Sequence, residues 1–325
     1  MDNSVYRRVF VLGSGFSKSY CPKLPTLKDL SALLPDKVPE DFPTLRDYCM
    51  TFHELCNGQP EYMGIEAIAT AILSTRMFPS ESERLYYVML RFELLRFIAG
   101  TISLTDPLPR ARHEELKRFL LKVANPAEAQ AGKTLLISFN YDTLIEDCLR
   151  EDEELSQRLA VNFGLNLDFA DRKEGRSFEA TVDLLKLHGS LDWYQLKGSV
   201  DTLDVRSICR VVPGDKSFPI YSDDTPVFIP MAHSKHSFLH GSLFNILWAK
   251  ADYYLKTAPE IYCVGYGFPQ TDINNLEFLL RHRERIAKVV VFEPEGDPDM
   301  LRLTRLFGPG KVASCDAREF LDKVE

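Results

Sequence analysis

An apolar strand that runs directly into two closely spaced glycines most constrains how this chain folds. Phe10-Val11-Leu12 leads into Gly13-Ser14-Gly15. Glycine permits a tight turn and a close approach of bare backbone N–H groups, and a helix starting there adds unpaired donors for a pyrophosphate. The sequence therefore favours an α/β fold with a nucleotide cradle. A purely structural turn is the alternative interpretation of the same pattern.

The chain lacks two features of ordinary dinucleotide-binding dehydrogenases. Lys18 stands where the third glycine of their fingerprint belongs, and no acidic residue closes a second strand about 20 positions on. Residues 24–30 instead look like a helix start that is capped by Thr26. A nucleotide site here belongs to a different lineage of the fold.

Two further apolar runs end in polar side chains. Leu135-Leu136-Ile137-Ser138-Phe139 leads into Asn140-Tyr141-Asp142, and Leu184-Leu185-Lys186-Leu187 leads into His188-Gly189. Both runs are typical of buried strands, and ligands bind at the carboxyl ends of strands in open parallel sheets. We therefore expect three strand ends to converge on one crevice.

The alternation of short apolar runs with helical periodicity predicts an α/β fold with a Rossmann-like parallel sheet of about six strands, flanked by helices. The candidate strands are 6–12, 133–139, 182–188, 260–265, 288–293 and 311–314. We interpret 1–325 as a single domain that contains a helical insertion over 27–130 and a small irregular module over 190–237.

The order of these motifs resembles the sirtuin-like NAD-consuming family, and within it the bacterial branch rather than the eukaryotic-type protein deacylases. The matching segments are Gly13-Ser14-Gly15-Phe16-Ser17, Leu24-Pro25-Thr26, Asn140-Tyr141-Asp142, His188-Gly189, Gly265-Tyr266-Gly267-Phe268 and Val289-Val290-Val291-Phe292-Glu293. The resemblance covers most of the chain and implies a sirtuin-like domain that binds NAD as its substrate.

The resemblance also implies the site residues. Asn140 would hold ribose hydroxyls or water, and His188 would accept a proton, as an imidazole with an unperturbed pKa of about 6.5 does near neutral pH. The residues expected to bind NAD are Gly13, Ser14, Gly15, Phe16, Ser17, Pro25, Thr26, Asp142, Gly265, Tyr266 and Glu293. Two plainer interpretations stay open: Asp142 as a helix N-cap, and His188 as a turn residue.

The chain departs from the deacylases of this family in two respects. Between His188 and Gly265 it has only Cys209 and Cys263, and a structural zinc site needs four ligands, so we expect no zinc or other metal. Phe139 replaces the glutamine that precedes the key asparagine, and no counterpart of the Val-x-Phe-Gly-Glu segment of the peptide groove is present. The missing glutamine and the missing groove segment both argue against deacylation.

Composition indicates an intracellular enzyme. A net charge of −8 argues against a nucleic-acid surface, because binding the phosphate backbone needs a basic face. Seven scattered cysteines, among them Cys148, Cys209 and Cys263, indicate buried thiols in a reducing compartment. We find no signal-peptide segment and no apolar run long enough for a membrane span. We therefore expect a cytoplasmic protein without nucleic-acid or membrane partners.

These observations lead to the hypothesis of an NAD glycohydrolase that yields nicotinamide and ADP-ribose. The resemblance is to sirtuin-like NADase effectors of bacterial anti-phage defence, which implies gating through a homo-oligomer or a separate sensor or partner protein. The main alternative is a non-catalytic module that binds NAD or an ADP-ribose-type signal. A minor alternative is an NAD-dependent protein deacylase.

Overall fold

The computed structural model describes most of the chain. The described residues are 6–25, 27–34, 38–55, 64–73, 80–102, 108–123, 133–158, 161–162, 182–195, 208–210, 225–232, 242–269, 272–291 and 298–324.

The strands are numbered along the chain: β1 (Tyr6–Leu12), β2 (Lys133–Ser138), β3 (Val161–Asn162), β4 (Val182–Lys186), β5 (Gly189–Gln195), β6 (Ile208–Arg210), β7 (Thr225–Phe228), β8 (Glu260–Val264), β9 (Ile286–Val291) and β10 (Val312–Ser314). The helices are α1 (Ser14–Tyr20), α2 (Leu27–Ser31), α3 (Pro43–Leu55), α4 (Ile65–Leu73), α5 (Glu81–Ile102), α6 (Arg110–Val123), α7 (Leu144–Glu151), α8 (Glu153–Arg158), α9 (Ser242–Thr257), α10 (Ile273–Leu280), α11 (Pro298–Phe307) and α12 (Ala317–Val324).

Seven strands form one sheet in the order β10-β9-β8-β1-β2-β4-β3. Every neighbouring pair in this sheet is parallel. The prediction of a Rossmann-like parallel sheet flanked by helices is thus confirmed. The six predicted strands are all present, and the seventh is the two-residue β3, which is too short to produce an apolar run in the sequence.

The central strand β1 divides the interior into two cores. On one face of the sheet, Phe10 and Leu12 belong to a buried cluster with residues of α1, α3, α5, α6 and α12, in which the Phe10 ring packs against Phe119 and Phe320. On the other face, Val9 and Val11 belong to a second buried cluster with residues of α9, α10 and α11. All four side chains are buried. Because both faces are covered, the strand reads as one continuous apolar run, as buried parallel strands do.

The strand order reverses at β1, where the predicted motifs meet. The chain runs from β1 to β2 and β4 on one side, and later returns to β8 on the other side. Leu12 pairs with Ser138 of β2 and with Val264 of β8, so these three strands end at the same level. Gly13, Phe139 and Gly265 are the next residues along the chain. Such a reversal point is where ligands bind in open parallel sheets.

A second, antiparallel sheet follows β4 in the order β6-β5-β7. Its strands fall within or at the border of the predicted module 190–237, and helices α2 to α6 fall within the predicted insertion 27–130. The division of the chain into these units stays a prediction. Cys148 and Cys263 are buried free thiols, as expected. The side chain of Cys209 lies outside the described residues.

Across the described ranges, we find no helix with both the length and the apolar character that crossing a membrane requires.

Candidate functional site

A cavity of about 690 Å³ opens at the carboxyl edge of the parallel sheet. Its walls come from the segments that follow β1, β2, β4 and β8, together with residues of α4, α5 and α11. The predicted site residues that line it are Ser14, Ser17, Pro25, Asn140, Asp142, His188 and Tyr266. Gly13 and Gly265 lie in the adjoining loops, Gly15 and Phe16 lie in the first turn of α1, and Thr26 and Glu293 lie outside the described residues.

The loop after β1 interlocks with the loop after β8. The Gly13 N–H donates to the Val264 carbonyl at 3.1 Å, and the Gly15 N–H donates to the Gly265 carbonyl at 2.8 Å. A Cβ on Gly13 would lie 2.5 Å from the Tyr266 Cα atom. Gly265 has a φ of +66°, and a Cβ there would lie 2.0 Å from the Phe16 nitrogen. Glycine is therefore required at positions 13 and 265 so that two main chains can touch.

This contact corrects one part of the sequence interpretation. The Gly15 N–H was expected to be bare and to face a phosphate, but it is bonded to Gly265. The Phe16 N–H likewise donates to the Gly13 carbonyl at 2.9 Å. The sequence does not reveal this, because the partner loop lies about 250 residues further along the chain. From this loop it is the side chains of Ser14 and Ser17 that line the cavity.

Asn140 connects the Asn-Tyr-Asp turn to residues 13–17, which we call the glycine loop, through hydrogen bonds. Its Nδ2 donates to the Gly13 carbonyl at 2.7 Å and to the Ser17 hydroxyl at 2.8 Å. A carbonyl oxygen only accepts, so the amide orientation is fixed by this network. The Asn140 Oδ1 accepts no hydrogen bond from any described residue. The side chain was expected to offer both a donor and an acceptor to a ligand, and the structure commits its donor to the protein.

The Asp142 carboxylate accepts hydrogen bonds both from Ser17 and from the start of α7. Its Oδ2 accepts from the Ser17 hydroxyl at 2.6 Å, and its Oδ1 accepts from the Leu144 N–H at 3.3 Å. The N-cap of α7 is Thr143, so the interpretation of Asp142 as the helix N-cap is wrong, although the Asp142 carboxylate accepts from the first residue of that helix. The carboxylate nevertheless lines the cavity.

A buried ion pair lies under the Asn-Tyr-Asp turn. Lys186, which is 1% exposed, places its ammonium 2.9 Å from the Glu146 carboxylate and 2.8 Å from the Ser190 hydroxyl. The same ammonium donates to the carbonyls of Tyr141 and Asp142. Sequence reasoning missed this pair, although a single lysine inside an apolar run was a usable signal, since a buried charge needs a partner.

His188 is enclosed by aromatic rings. It is 4% exposed, and its ring centre lies 5.2 Å from that of Phe139, 6.1 Å from that of Tyr141 and 6.3 Å from that of Trp248. Its Nε2 lies 3.2 Å from the Oδ1 of Asn275 on α10. The side chain is therefore held both by packing and by a polar partner, while one side of it faces the cavity.

The partner of His188 is itself fixed. The Asn275 Nδ2 donates to the Asp272 carboxylate at 2.6 Å, and the Tyr266 hydroxyl lies 3.5 Å from the same carboxylate oxygen. Burial, and then the Asp272 charge, raise the pKa of Tyr266 well above its usual value, so the phenol stays neutral. Sequence reasoning missed Asp272 and Asn275, because they lie at the start of α10, beyond the turn after β8, and do not directly follow a strand.

The turn after β8 contains a rare backbone conformation. Phe268 has a φ of +51°, in the left-handed region that non-glycine residues seldom adopt. Arg302 of α11 donates to the carbonyls of Gly267 and Phe268 at 3.2 and 2.9 Å. The ring of Phe268 packs 4.9 Å from that of Phe307. These contacts hold the turn that carries Tyr266 into the cavity wall.

Charges of both signs line the cavity. Among the described residues its wall carries one ammonium group, from Lys18, and four carboxylates, from Glu66, Asp142, Asp272 and Asp299. A metal ion needs several ligands at one point. In the part of the chain that the structure describes, no group of three or more His, Cys, Asp or Glu residues is arranged to hold one.

Comparison with known proteins gives distant structural likenesses only. No protein-family model matches the sequence, and no curated protein matches it significantly. A Sir2 homologue in complex with NAD has a TM-score of 0.40 and 13% identity, and the match covers 99% of this chain and 88% of that chain. A mutant Sir2 homologue in complex with ADP-ribose has a TM-score of 0.43 and 13% identity, with 99% of this chain and 90% of that chain covered. Likenesses this distant assign neither a family nor an activity.

Proposed function

We propose that the chain is an NAD glycohydrolase, which converts NAD and water into nicotinamide, ADP-ribose and a proton. One observation carries the proposal: three distant segments build one cavity. Asn140 donates to the Gly13 carbonyl and the Ser17 hydroxyl, and His188 lines the same space. The motif resemblance supplies the substrate, because these segments follow the order found in the sirtuin-like NAD-consuming family.

The cavity walls suit a reaction in which positive charge moves. The nicotinamide ring of NAD is cationic and leaves as a neutral molecule, while oxocarbenium-like charge develops on the ribose. The Asp142 and Asp272 carboxylates and the rings of Phe139 and Tyr266 all line the cavity. Fixed negative charge and aromatic faces both stabilise a cation in a site shielded from water. We place the pyrophosphate against the Ser14 hydroxyl and the Lys18 ammonium, because the Ser17 hydroxyl already donates its proton to Asp142.

Asn140 and His188 divide the remaining chemistry between them. The Asn140 Oδ1 accepts a hydrogen bond from the attacking water or from a ribose hydroxyl. The water oxygen bonds to the ribose carbon as its proton passes to His188, and the carbon–nitrogen bond breaks with its electron pair on nicotinamide. His188 then returns the proton to solvent. Each bond and charge is accounted for without a metal or a redox partner.

We further propose that assembly gates this activity, as in an effector of anti-phage defence. Unregulated hydrolysis of NAD would harm the cell that makes the enzyme, and the resemblance is to effectors that act in oligomers or with partner proteins. We expect slow turnover by dilute protein and faster turnover at higher protein concentration. Equal and fast specific activity at all concentrations would exclude the gating.

The direct test is release of nicotinamide from NAD in water enriched in a heavy oxygen isotope. The proposal predicts one labelled oxygen in each ADP-ribose formed. Tight NAD binding without nicotinamide release at any protein concentration would instead favour the NAD-binding module. Nicotinamide release that depends on an added acetyl-lysine peptide would favour a deacylase.

A further inference from the structure

His188 has a polar partner outside the motifs that suggested the site. Its Nε2 lies 3.2 Å from the Oδ1 of Asn275, a side chain that is 0% exposed at the start of α10. Asn275 in turn donates to the Asp272 carboxylate. These three residues form a continuous chain of hydrogen bonds from a carboxylate to the imidazole.

The donors and acceptors along this series of hydrogen bonds can be assigned in only one way. A carboxylate accepts but does not donate, so the Asn275 Nδ2 must face Asp272, and the amide oxygen must face His188. An amide oxygen has no proton to give, so His188 donates from Nε2. In a neutral imidazole with a proton on Nε2, the basic lone pair is on Nδ1.

We propose that Asp272 and Asn275 hold His188 in the Nε2–H form, so that Nδ1 is the nitrogen that accepts the proton. Asn275 is then a positioning residue, and its role rests on the proposed NAD hydrolysis. When Nδ1 takes the proton from water or a ribose hydroxyl, the imidazole gains one positive charge. The Asn275 oxygen still accepts from Nε2, and the Asp272 charge polarises the amide toward the cation.

The described aromatic side chains that pack on His188 do not compete for its Nε2 proton. The His188 ring contacts the rings of Phe139 and Tyr141, which lie in the turn after β2. The Tyr141 hydroxyl donates to the Ile229 carbonyl at 2.7 Å. Burial raises the pKa of Tyr141 well above its usual value, so this phenol is neutral. From α9 the His188 ring meets Trp248, whose Nε1 donates to the Leu187 carbonyl. Asp272 is therefore the charge that reaches the imidazole through Asn275.

The first test needs no activity. Nuclear magnetic resonance of protein with isotopically labelled histidine distinguishes a protonated ring nitrogen from a bare one, and His188 is assigned from the signal lost in His188→Gln. We expect the neutral ring to carry its proton on Nε2. A proton on Nδ1 with a bare Nε2 would overturn the inference, whether or not the protein hydrolyses NAD.

The second test replaces the partner. Asn275→Leu keeps the size of the side chain but removes the acceptor, so we expect the pH midpoint of the His188 titration to move to lower pH. We expect kcat for NAD hydrolysis to fall by about 10–100-fold with KM unchanged, as when a residue that orients a functional histidine is lost. Asn274→Leu, on the neighbouring position of α10, is the matched control and keeps both values. An unchanged titration midpoint in folded Asn275→Leu would show that Asn275 only fills space.

Discussion

The Lys186 ammonium lies 2.9 Å from the Glu146 carboxylate, with both side chains only 2% exposed. The same ammonium also donates to the carbonyls of Tyr141 and Asp142. The Lys186–Glu146 pair thus fixes the turn that places Asn140 beside Gly13 and Ser17. A buried charge that supports a loop in this way contributes to the shape of the site without touching a substrate.

Removing one member of this pair should destabilise the protein strongly. Lys186→Met leaves the Glu146 carboxylate buried without its cation, and such a change costs about 3–5 kcal/mol of unfolding free energy. Replacing both residues, as Lys186→Met with Glu146→Leu, should recover most of the loss. Urea unfolding followed by circular dichroism measures both effects.

An exposed ion pair provides the control. Glu277 on α10 and Arg281, which directly follows that helix, form a contact of 2.7 Å but are both more than half exposed. Arg281→Met should change the unfolding free energy by less than about 1 kcal/mol. Similar losses in Lys186→Met and Arg281→Met would show that burial of the Lys186 pair does not matter.

Gly265→Ala should damage the site through the backbone. The new Cβ would lie 2.0 Å from the Phe16 nitrogen, so the two interlocked loops would have to separate. We expect a lower thermal midpoint and a weaker affinity for NAD, both measurable by calorimetry. Gly308→Ala is the matched control, because Gly308 also has a positive φ but nothing lies within 4 Å of a Cβ there.

Comparing Gly265→Ala with Gly308→Ala separates the cost of backbone strain from the cost of moving the two loops apart. Gly308→Ala should lose only the strain of an unfavourable φ, about 1–2 kcal/mol, and should keep NAD affinity. Gly265→Ala should lose clearly more. Equal stability losses in the two variants, with unchanged NAD binding, would mean that the loop contact is unimportant.

Much of the fold was predictable because both faces of the main sheet are covered. Strands such as β1 and β2 then appear as continuous apolar runs, and their last residues point to the site. The two-residue β3 leaves no such pattern. The contact between His188 and Asn275 spans 87 residues, and a polar side chain near a helix start looks like ordinary helix surface in the sequence. The bond from the Gly15 N–H to Gly265 was hidden for the same reason.

His282 should make stability depend on pH. Burial lowers the pKa of His282, with Lys256 and Arg281 adding to the decrease, although the Asp252 carboxylate 3.1 Å away opposes it. The folded state therefore binds this proton less readily than the unfolded chain does. The contribution of the neutral His282 side chain to the free energy of unfolding is fully present above the unfolded pKa of about 6.5 and is lost as pH falls toward the folded pKa.

Urea unfolding between about pH 7.5 and pH 5.5 measures this contribution. We expect the unfolding free energy of the wild type to decrease over this range, and His282→Gln to show a smaller decrease. His53→Gln is the control, since His53 is exposed on α3. If the unfolding free energy of His282→Gln decreased with pH as steeply as that of the wild type, His282 would not be the source of this pH dependence.

The central claim is that Asn140 and His188 act on one bond of NAD, and initial rates of nicotinamide release test it most directly. The rates are compared at saturating NAD for the wild type, Asn140→Ala, His188→Ala and the double variant, all confirmed as folded by circular dichroism. The account predicts a loss of about 10²-fold or more in kcat for each single variant. Because the two residues act as a unit, the double variant should be scarcely slower than the slower single one. Nicotinamide release near the wild-type rate in either single variant would contradict the account.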